Sequence, residues 1–263
     1  MRVVVLFLLW NGSGAFQFPK LEFPKVAFPS IELPNFGGEP SAPPPSESTD
    51  LEARLIQAIE AQDDRLSNSQ QIASLVRQLE DSGASLERPA IAPEVYGRWR
   101  LLHTSNDDTS SPIQRKAVDT SKFNIYQDII VSDSSQLIVS QVVKFSDAAE
   151  LRVDAVASTS AYPLAELTER KSTGKVLGLN VLGVSLVGEE ALPDPNRPDS
   201  RIDFVFDEGS FDLGLVKIPY PVPFRLPLFR DWVKGWIDVT YLSSKVRISR
   251  GNKGTTFVLV KED

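Results

Sequence analysis

The segment RISRGNKGTTFVLV, residues 247–260, decides the fold predicted for this chain. Apolar and polar residues alternate on both sides of Gly251–Gly254, and a glycine-bounded turn between two alternating runs is typical of a β-hairpin. The hairpin either closes a barrel or forms the edge of an open sheet, and the strand-like runs that precede it favour a barrel.

Strand-like runs recur along the chain before this hairpin. From Glu94 onward the helical period disappears, and short alternating runs are separated by Gly, Asn, Asp, Ser and Pro. About eight strands with hairpin-scale connections favour an antiparallel up-and-down barrel over a sandwich. A barrel of about eight strands is either packed solid or holds one small apolar ligand. The runs are GRWRLLHT, FNIYQDIIV, QLIVSQVVKF, LRVDAVAST, RIDFVFDEG, WIDVTYL, KVRIS and TTFVLVK.

Two helices are predicted before the β region, within residues 49–86. Thr49 can cap the first helix, and Glu52 stands three residues further on, as in a capping box. The second helix ends at Gly83. Because the linking loop is short, we expect an antiparallel helical hairpin, packed as a lid or plug at one end of the β domain.

The first 48 residues have the pattern of a targeting segment. In residues 1–15 an apolar core follows Arg2 and is too short to span a bilayer, which is typical of a signal peptide. The Ala15–Phe16 junction resembles the bipartite plastid presequences of algae with secondary plastids, and a plain secretory signal is the alternative. Residues 16–48 are Pro-rich and are predicted to be a transit segment and linker.

The composition excludes several kinds of chemistry. The chain has no cysteine and a single histidine, His103, which rules out disulfides, thiol catalysis, Cys-based zinc sites and a His-rich metal site. No nucleophile elbow accompanies His103, and no phosphate-binding loop is present. We therefore expect no enzyme activity, no metal and no cofactor.

The net charge of −7 is unevenly distributed. From Lys217 to Lys261 there are nine Lys and Arg residues against two acidic residues. A basic end on an acidic protein either faces anionic lipid or nucleic acid, or is a solvated strand face. No RNA-reading motif is present, so no nucleic-acid partner is expected.

Two motifs carry a resemblance to known families. Gly97-Arg98-Trp99 resembles the Gly-x-Trp that opens a lipocalin barrel. The span IPYPVPFRLPLFRDWVKGWIDVTYLSSKVRISRGNKGTTFVLVK, residues 218–261, resembles the C-terminal signature of the plastid lipid-associated protein (fibrillin) family. The resemblance covers roughly residues 50–263. It implies a mainly β fold: a lipocalin-like antiparallel β-barrel (87–263) preceded by an N-terminal α-helical hairpin (49–86).

The resemblance also implies a location and a partner. Proteins of this family are expected in the chloroplast, at thylakoids or plastoglobules, where they bind small lipophilic molecules. The location agrees with the plastid-like presequence, which was inferred from different residues.

The lipocalin pattern predicts a structural lock at the closed end of the barrel. There the first-strand Trp, here Trp99, lies beneath an Arg from the last strands. If Val246 and Ile248 face the core, Arg250 ends the same inward row and is expected to stack on Trp99 as a cation–π pair.

Strand alternation and the family resemblance also yield candidate lipid-binding residues on the barrel face. Tyr241 and Asp238 could each place one polar group in the cavity to orient a ligand. The alternative for both is a hydrogen bond that anchors a strand end. The candidates are Trp99, Leu101, His103, Phe204, Phe206, Tyr241 and Phe257.

The Pro-rich segment 218–230 cannot form a central strand. Apolar residues flanked by Arg suit docking at a lipid surface, and equally a loop folded over the barrel mouth. The predicted docking residues are Phe224, Arg225, Phe229 and Arg230.

Three functions are compatible with these features. The first is a plastid carrier or buffer of apolar lipids of the carotenoid, quinone or fatty acid class. The second is a structural coat on plastid lipid globules, with a filled barrel. The third, an enzyme acting on a lipophilic substrate, needs an acid and a base paired inside the barrel. A cavity wide enough for a ligand separates the first two.

Overall fold

The computed structural model describes residues 46–61, 65–105, 123–168, 180–181, 184–185, 193–220, 225, 234–251 and 254–262. All of them lie in one unit, Pro44–Asp263. The predicted signal peptide, the Ala15–Phe16 junction and nearly all of the Pro-rich segment lie outside the described residues.

The described elements are two helices followed by strands, with short helical turns between. The helices are α1 (Ser46–Glu60) and α2 (Arg65–Asp81), then a 3-10 helix (Pro93–Val95) and the single turn α3 (Ala165–Thr168). The strands are β1 (Gly97–Thr104), β2 (Asn124–Val131), β3 (Leu137–Ser146), β4 (Ala149–Ser158), β5 (Asn180–Val181), β6 (Val184–Ser185), β7 (Arg201–Asp212), β8 (Lys217–Pro219), β9 (Lys234–Leu242), β10 (Val246–Gly251) and β11 (Thr256–Glu262).

The sheet closes on itself. Strands β1 to β4 form a meander, β4 pairs with β7, and β7 leads through β9 and β10 to β11. Strand β11 then pairs antiparallel with β1, with Leu101 opposite Leu259. These eight strands form a closed antiparallel barrel, while β8 lies on the edge of β7 and β5–β6 is a separate ladder. The predicted fold class is confirmed, and the hairpin of residues 247–260 closes the barrel.

The inward side chains form the main core. Residues that lie opposite each other in an antiparallel pair share a face of the sheet. The strand pairings therefore place the inward apolar residues of neighbouring strands side by side around the barrel. Its most buried members are Trp99, Ile129, Leu137, Val139, Ala157, Ile202, Leu242 and Leu259.

The helical hairpin covers the outside of the barrel wall. Leu55 of α1 and Leu75 and Leu79 of α2 pack in one cluster with Val246 and Ile248 of β10. The expectation of a lid or plug at one end is therefore wrong. The reason is that Tyr241, Val246, Ile248 and Val258 form an apolar outer face on β9, β10 and β11, which needs a cover, and the amphipathic hairpin provides it.

The segment before β1 seals one end, which we call the closed end (residues 86–96). The amide of Leu86 donates to the carbonyl of Leu242 at 2.9 Å, and the amide of Ala90 donates to the carbonyl of Asp199 at 2.7 Å. Ala90 and Val95 are fully buried in the barrel core. The 3-10 helix thus fixes the entry of the chain into β1.

The hydroxyl of Tyr241 joins the hairpin to the wall, which yields a testable prediction. It donates to Glu52 Oε1 at 2.7 Å, and both residues are buried. We expect Tyr241→Phe to lower the free energy of unfolding by about 1–3 kcal/mol, because the buried carboxylate loses a donor. Urea unfolding measures this. Tyr126→Phe is the control, since it keeps the ring that Arg98 and Lys144 contact; equal losses in the two variants contradict the assignment.

The same bond has a pH signature. Burial and the hydrogen bond to Glu52 raise the pKa of Tyr241 above its usual value. A group whose pKa is raised on folding stabilises the fold below its unfolded pKa, about 10 for tyrosine, and the contribution is lost as pH rises above it. Alkaline unfolding of the Tyr241→Phe variant should therefore lack this component.

Candidate functional site

Trp99 forms the floor of the barrel. It is fully buried, and its Nε1 donates to the carbonyl of Val95 at 2.7 Å. Gly97, two residues earlier, has φ +112°, and a Cβ there would lie 3.1 Å from Lys261 Nζ. The Gly-x-Trp spacing therefore has a local cause: only glycine admits both this backbone and the lysine side chain.

Two cations contact the ring of Trp99. The Arg247 Cζ lies 4.9 Å and the Lys261 Nζ 4.6 Å from its centroid. Lys261 Nζ also donates to the carbonyl of Glu94, at 2.8 Å, and to that of Tyr96. Burial, and then the charge of Arg247, lowers the pKa of Lys261. The lock thus ties the last strand to the closed end.

Arg250 was predicted as the stacking partner of Trp99, and this is wrong. Arg250 points outward and forms an ion pair with Glu80 of α2, with its Nη2 2.6 Å from Oε2. Burial acts to raise the pKa of Glu80, but hydrogen bonds from Arg250 and Thr240 outweigh it and lower the pKa. Val246 and Ile248 face the hairpin, so the opposite parity of β10 faces the barrel interior.

Arg247 carries that inward parity and crosses the barrel interior. Its Nη2 donates to Oε1 of Gln127. Strands β10 and β2 are separated in the sheet by β11 and β1, so this contact spans the interior rather than the wall. Arg247 is fully buried, and burial lowers its pKa to about 9.

The hydrogen-bonding capacity of this interior group is not filled. Among the described residues, no partner is within hydrogen-bond distance of Arg247 Nε or Nη1, or of the hydroxyl of Ser249. Ser249 follows Arg247 in the inward row of β10 and is 1% exposed. Arg247 therefore keeps two nitrogens without a described hydrogen-bond partner inside a largely apolar barrel.

Several inward aromatic and aliphatic side chains remain partly exposed at the other end, which we call the half-exposed end (Phe123, Val143, Phe204 and Phe257). Phe204 lies opposite Gly235, where a Cβ would come 2.6 Å from its ring. Among the described residues, inward-facing rings that are only partly buried make this end less enclosed than the closed end beneath Trp99.

The other candidate residues separate into inner and outer positions. Leu101 and Phe257 face the interior, as predicted. Phe206 lies beside a bulge, contacts the ring of Phe204 edge-on with centroids 5.4 Å apart, and packs against a small third cluster. The remaining two, His103 and Tyr241, were expected on the inner face and are not there.

Both displacements arise from β-bulges. A bulge at Leu102 interrupts the alternation of β1, and His103 lies opposite Val258 of the outer cluster. A second register shift, beside Ile248, turns Tyr241 outward beneath α1. The alternative for Tyr241, an anchoring hydrogen bond, is the one found. Asp238 likewise serves structure, since it accepts two bonds of 2.7 Å from Arg201.

Of the predicted docking residues, Phe224, Phe229 and Arg230 lie outside the described residues. Arg225 is described, and its guanidinium pairs with Asp207 at 2.7 Å and Glu208 at 3.1 Å. Together with Arg247, Arg250 and Lys261, it shows that much of the basic C-terminal charge is used within the fold.

An exposed apolar turn was missed from the sequence. Between β7 and β8, Leu215 is 100% exposed, Val216 57% and Leu213 42%. Phe145, in the neighbouring β3–β4 hairpin, is 44% exposed, and its ring contacts that of Phe123 with centroids 5.4 Å apart. We call these four residues the apolar tip; it adjoins the half-exposed end. The signal in the sequence was the polar-free run Leu-Gly-Leu-Val at a turn.

A closed eight-stranded barrel with a sealed end, a buried floor tryptophan and an apolar interior defines a lipocalin-like barrel protein. Within this class, residues 49–260 match the family model PAP_fibrillin. The chain belongs to that family.

Known relatives carry names of the same kind. One is "Probable plastid-lipid-associated protein 12, chloroplastic" of Arabidopsis thaliana, 35% identical over 82% of this chain and 46% of that protein. The chain thus spans about half the length of this relative. "Chromoplast-specific carotenoid-associated protein, chromoplastic" of Cucumis sativus is 27% identical over 83% of this chain and 69% of that protein. No solved structure matches the chain.

These findings confirm the predicted family and the plastid location, since the relatives are chloroplastic or chromoplastic. The bipartite presequence, the domain bounds and the absence of enzyme activity stay predictions. Within the described residues no helix is both long and apolar enough to cross a membrane, and no cluster of three acidic or histidine side chains is placed to hold a metal.

The contact between Gly235 and Phe204 yields a prediction about the interior. Gly235→Ala should lower the free energy of unfolding by about 1–3 kcal/mol, because the new methyl group displaces the Phe204 ring. Adding Phe204→Leu, which frees that space, should recover part of the loss, and chemical denaturation of the two single variants and the double variant measures it. Strictly additive losses would show that the two positions are not in contact.

Proposed function

We propose that the barrel binds one small lipophilic molecule, which enters through the half-exposed end. The observation that carries the proposal is the partial exposure of the inward-facing Phe204 and Phe257, beside a closed end at which Trp99 and Ile129 are fully buried. A pocket of this kind is apolar, is closed on one side and has few polar groups.

The driving force for such binding is the removal of apolar ligand surface from water. Each 100 Å² of buried apolar surface contributes about 2.5 kcal/mol before the costs of association. The carotenoid, quinone and fatty acid classes all carry long apolar chains that meet this requirement. The name of the Cucumis sativus relative, which mentions carotenoid association, agrees with a lipophilic partner.

The experiment that tests this proposal is a loading assay. The 263-residue chain is incubated with plastid lipid extract and repurified by gel filtration, and its lipid is identified by mass spectrometry. We expect one lipid class at about one molecule per chain, and a marked loss in Phe257→Asp, which places a charge on the inner wall. Arg54→Gln, on the exposed face of α1, is the control. Lipid at background level in the unmodified chain overturns the carrier function.

A second candidate function, coating of plastid lipid globules, is favoured by the apolar tip. Fully exposed Leu215 and its neighbours Val216 and Phe145 are suited to insertion into a lipid surface. The tip adjoins the half-exposed end, so docking and loading are compatible: a lipid passing from the surface into the barrel would cross little water.

Flotation tests the docking surface. The double variant Leu215→Glu/Val216→Glu should reduce co-flotation with galactolipid liposomes at least tenfold, since each inserted side chain contributes roughly 1.5–3 kcal/mol. Ile130→Glu is the matched control, because Ile130 is 43% exposed on the outer face of β2, away from the tip. If both variants float like the unmodified chain, the tip does not dock.

A further inference from the structure

A cation without a described counter-charge lies inside the barrel. The guanidinium of Arg247 is fully buried, and its one described polar partner is the neutral amide of Gln127. Its two other nitrogens have no partner among the described residues. Proteins seldom retain a buried charge without a counter-charge, because its lost hydration is costly. The arrangement therefore calls for an anion or a strong acceptor at this place.

The structural lock does not fill the donors of Arg247. Lys261 already lies over the ring of Trp99 at 4.6 Å, and its ammonium is held by the carbonyls of Glu94 and Tyr96. One cation is enough for a cation–π contact. Unlike Lys261, Arg247 leaves donors free, and it extends across the interior to β2.

The free donors match one kind of ligand group. A guanidinium presents its N–H groups as a planar fork that fits the two oxygens of a carboxylate. The unpartnered hydroxyl of Ser249 lies one inward step along β10 from Arg247, on the side toward the half-exposed end. Above these groups the interior is apolar, with Leu101, Val239 and Phe257 on the wall.

We propose that Arg247, with Ser249 and Gln127, binds the carboxylate head of a fatty-acid-like amphiphile whose tail occupies the apolar interior. This inference rests on the proposed carrier function and narrows it to a ligand class. Neutral carotenoids, esters and alcohols offer no charge to the guanidinium. Arg247 thus binds the ligand through its unfilled N–H groups while its guanidinium keeps its contact with the ring of Trp99, as Lys261 does.

The test compares a matched pair of probes, oleic acid and methyl oleate, on the 263-residue chain at neutral pH. We expect the unmodified chain to bind the acid at least tenfold more tightly than the ester. Arg247→Met should abolish this preference while ester binding is retained, and Arg247→Lys should restore part of it. The control Arg54→Met, on the exposed face of α1, should keep the full preference.

The outcomes separate the two proposals. Equal binding of acid and ester by the unmodified chain overturns the head-group site and leaves the carrier function standing. Binding of neither probe, nor of any lipid in the loading assay, overturns both. Loss of acid and ester binding together in a folded Arg247→Met variant assigns Arg247 to the structural lock alone.

A second measurement needs no variant, in case Arg247→Met does not fold. Oleic acid labelled with ¹³C at the carboxyl carbon is bound to the unmodified chain and followed by NMR from pH 7 to pH 4. A carboxylate paired with a buried guanidinium should keep its ionised chemical shift down to pH 4, where an exposed carboxyl of pKa about 4.3 is more than half protonated. A resonance that titrates like an exposed carboxyl overturns the proposal.

Discussion

The burial of Trp99 against Lys261 and Arg247 is the contact on which the rest of the barrel depends. It joins the first strand, the last two strands and the segment before β1 in one place. The same contacts therefore close the sheet into a barrel and seal its closed end. Gly97 permits the approach of Lys261, and the carbonyl of Val95 accepts the hydrogen bond of the indole N–H.

A second constraint acts on the wall formed by β9, β10 and β11. Both of its faces are buried, one by the barrel interior and one by α1 and α2. The helical hairpin is therefore part of the barrel's structure, tied by the Tyr241–Glu52 hydrogen bond and the Arg250–Glu80 ion pair. Basic residues that gave the C-terminal region its charge are used in these contacts, which leaves less of it for an anionic surface.

The two ends of the barrel differ in a way that suits transfer of a lipid. The closed end is packed and hydrogen-bonded, whereas the other end has half-buried rings and adjoins the apolar tip. The guanidinium of Arg247, with two nitrogens unpartnered among the described residues, lies in the interior against Trp99. A coat protein needs only the tip, but the half-exposed end and the unfilled donors of Arg247 have no role in a coat. These two features favour a carrier that also docks.

Much of the fold followed from local pattern. The alternating runs, the glycine-bounded hairpin of residues 247–260, the two amphipathic helices and the Gly-x-Trp each depend on neighbours in sequence, and each is present. The inward positions of Trp99, Leu101 and Phe257 followed from the same alternation. The sequence by itself thus determined a closed β-barrel with a helical hairpin, and the tryptophan at its floor.

The tertiary structure alone decided which residues face the interior near the bulges and the covered wall. On β10 the apolar parity, Val246 and Ile248, faces the helical hairpin, whereas the polar parity of Arg247 and Ser249 faces the interior. Apolar character therefore indicated the wrong side as the lumen, and with it Arg250 instead of Arg247. Bulges at Leu102 and beside Ile248 reverse the alternation without a signal in composition, and they move His103 and Tyr241 to the outer face. Register and covering contacts join residues far apart in the chain, so local periodicity cannot encode them.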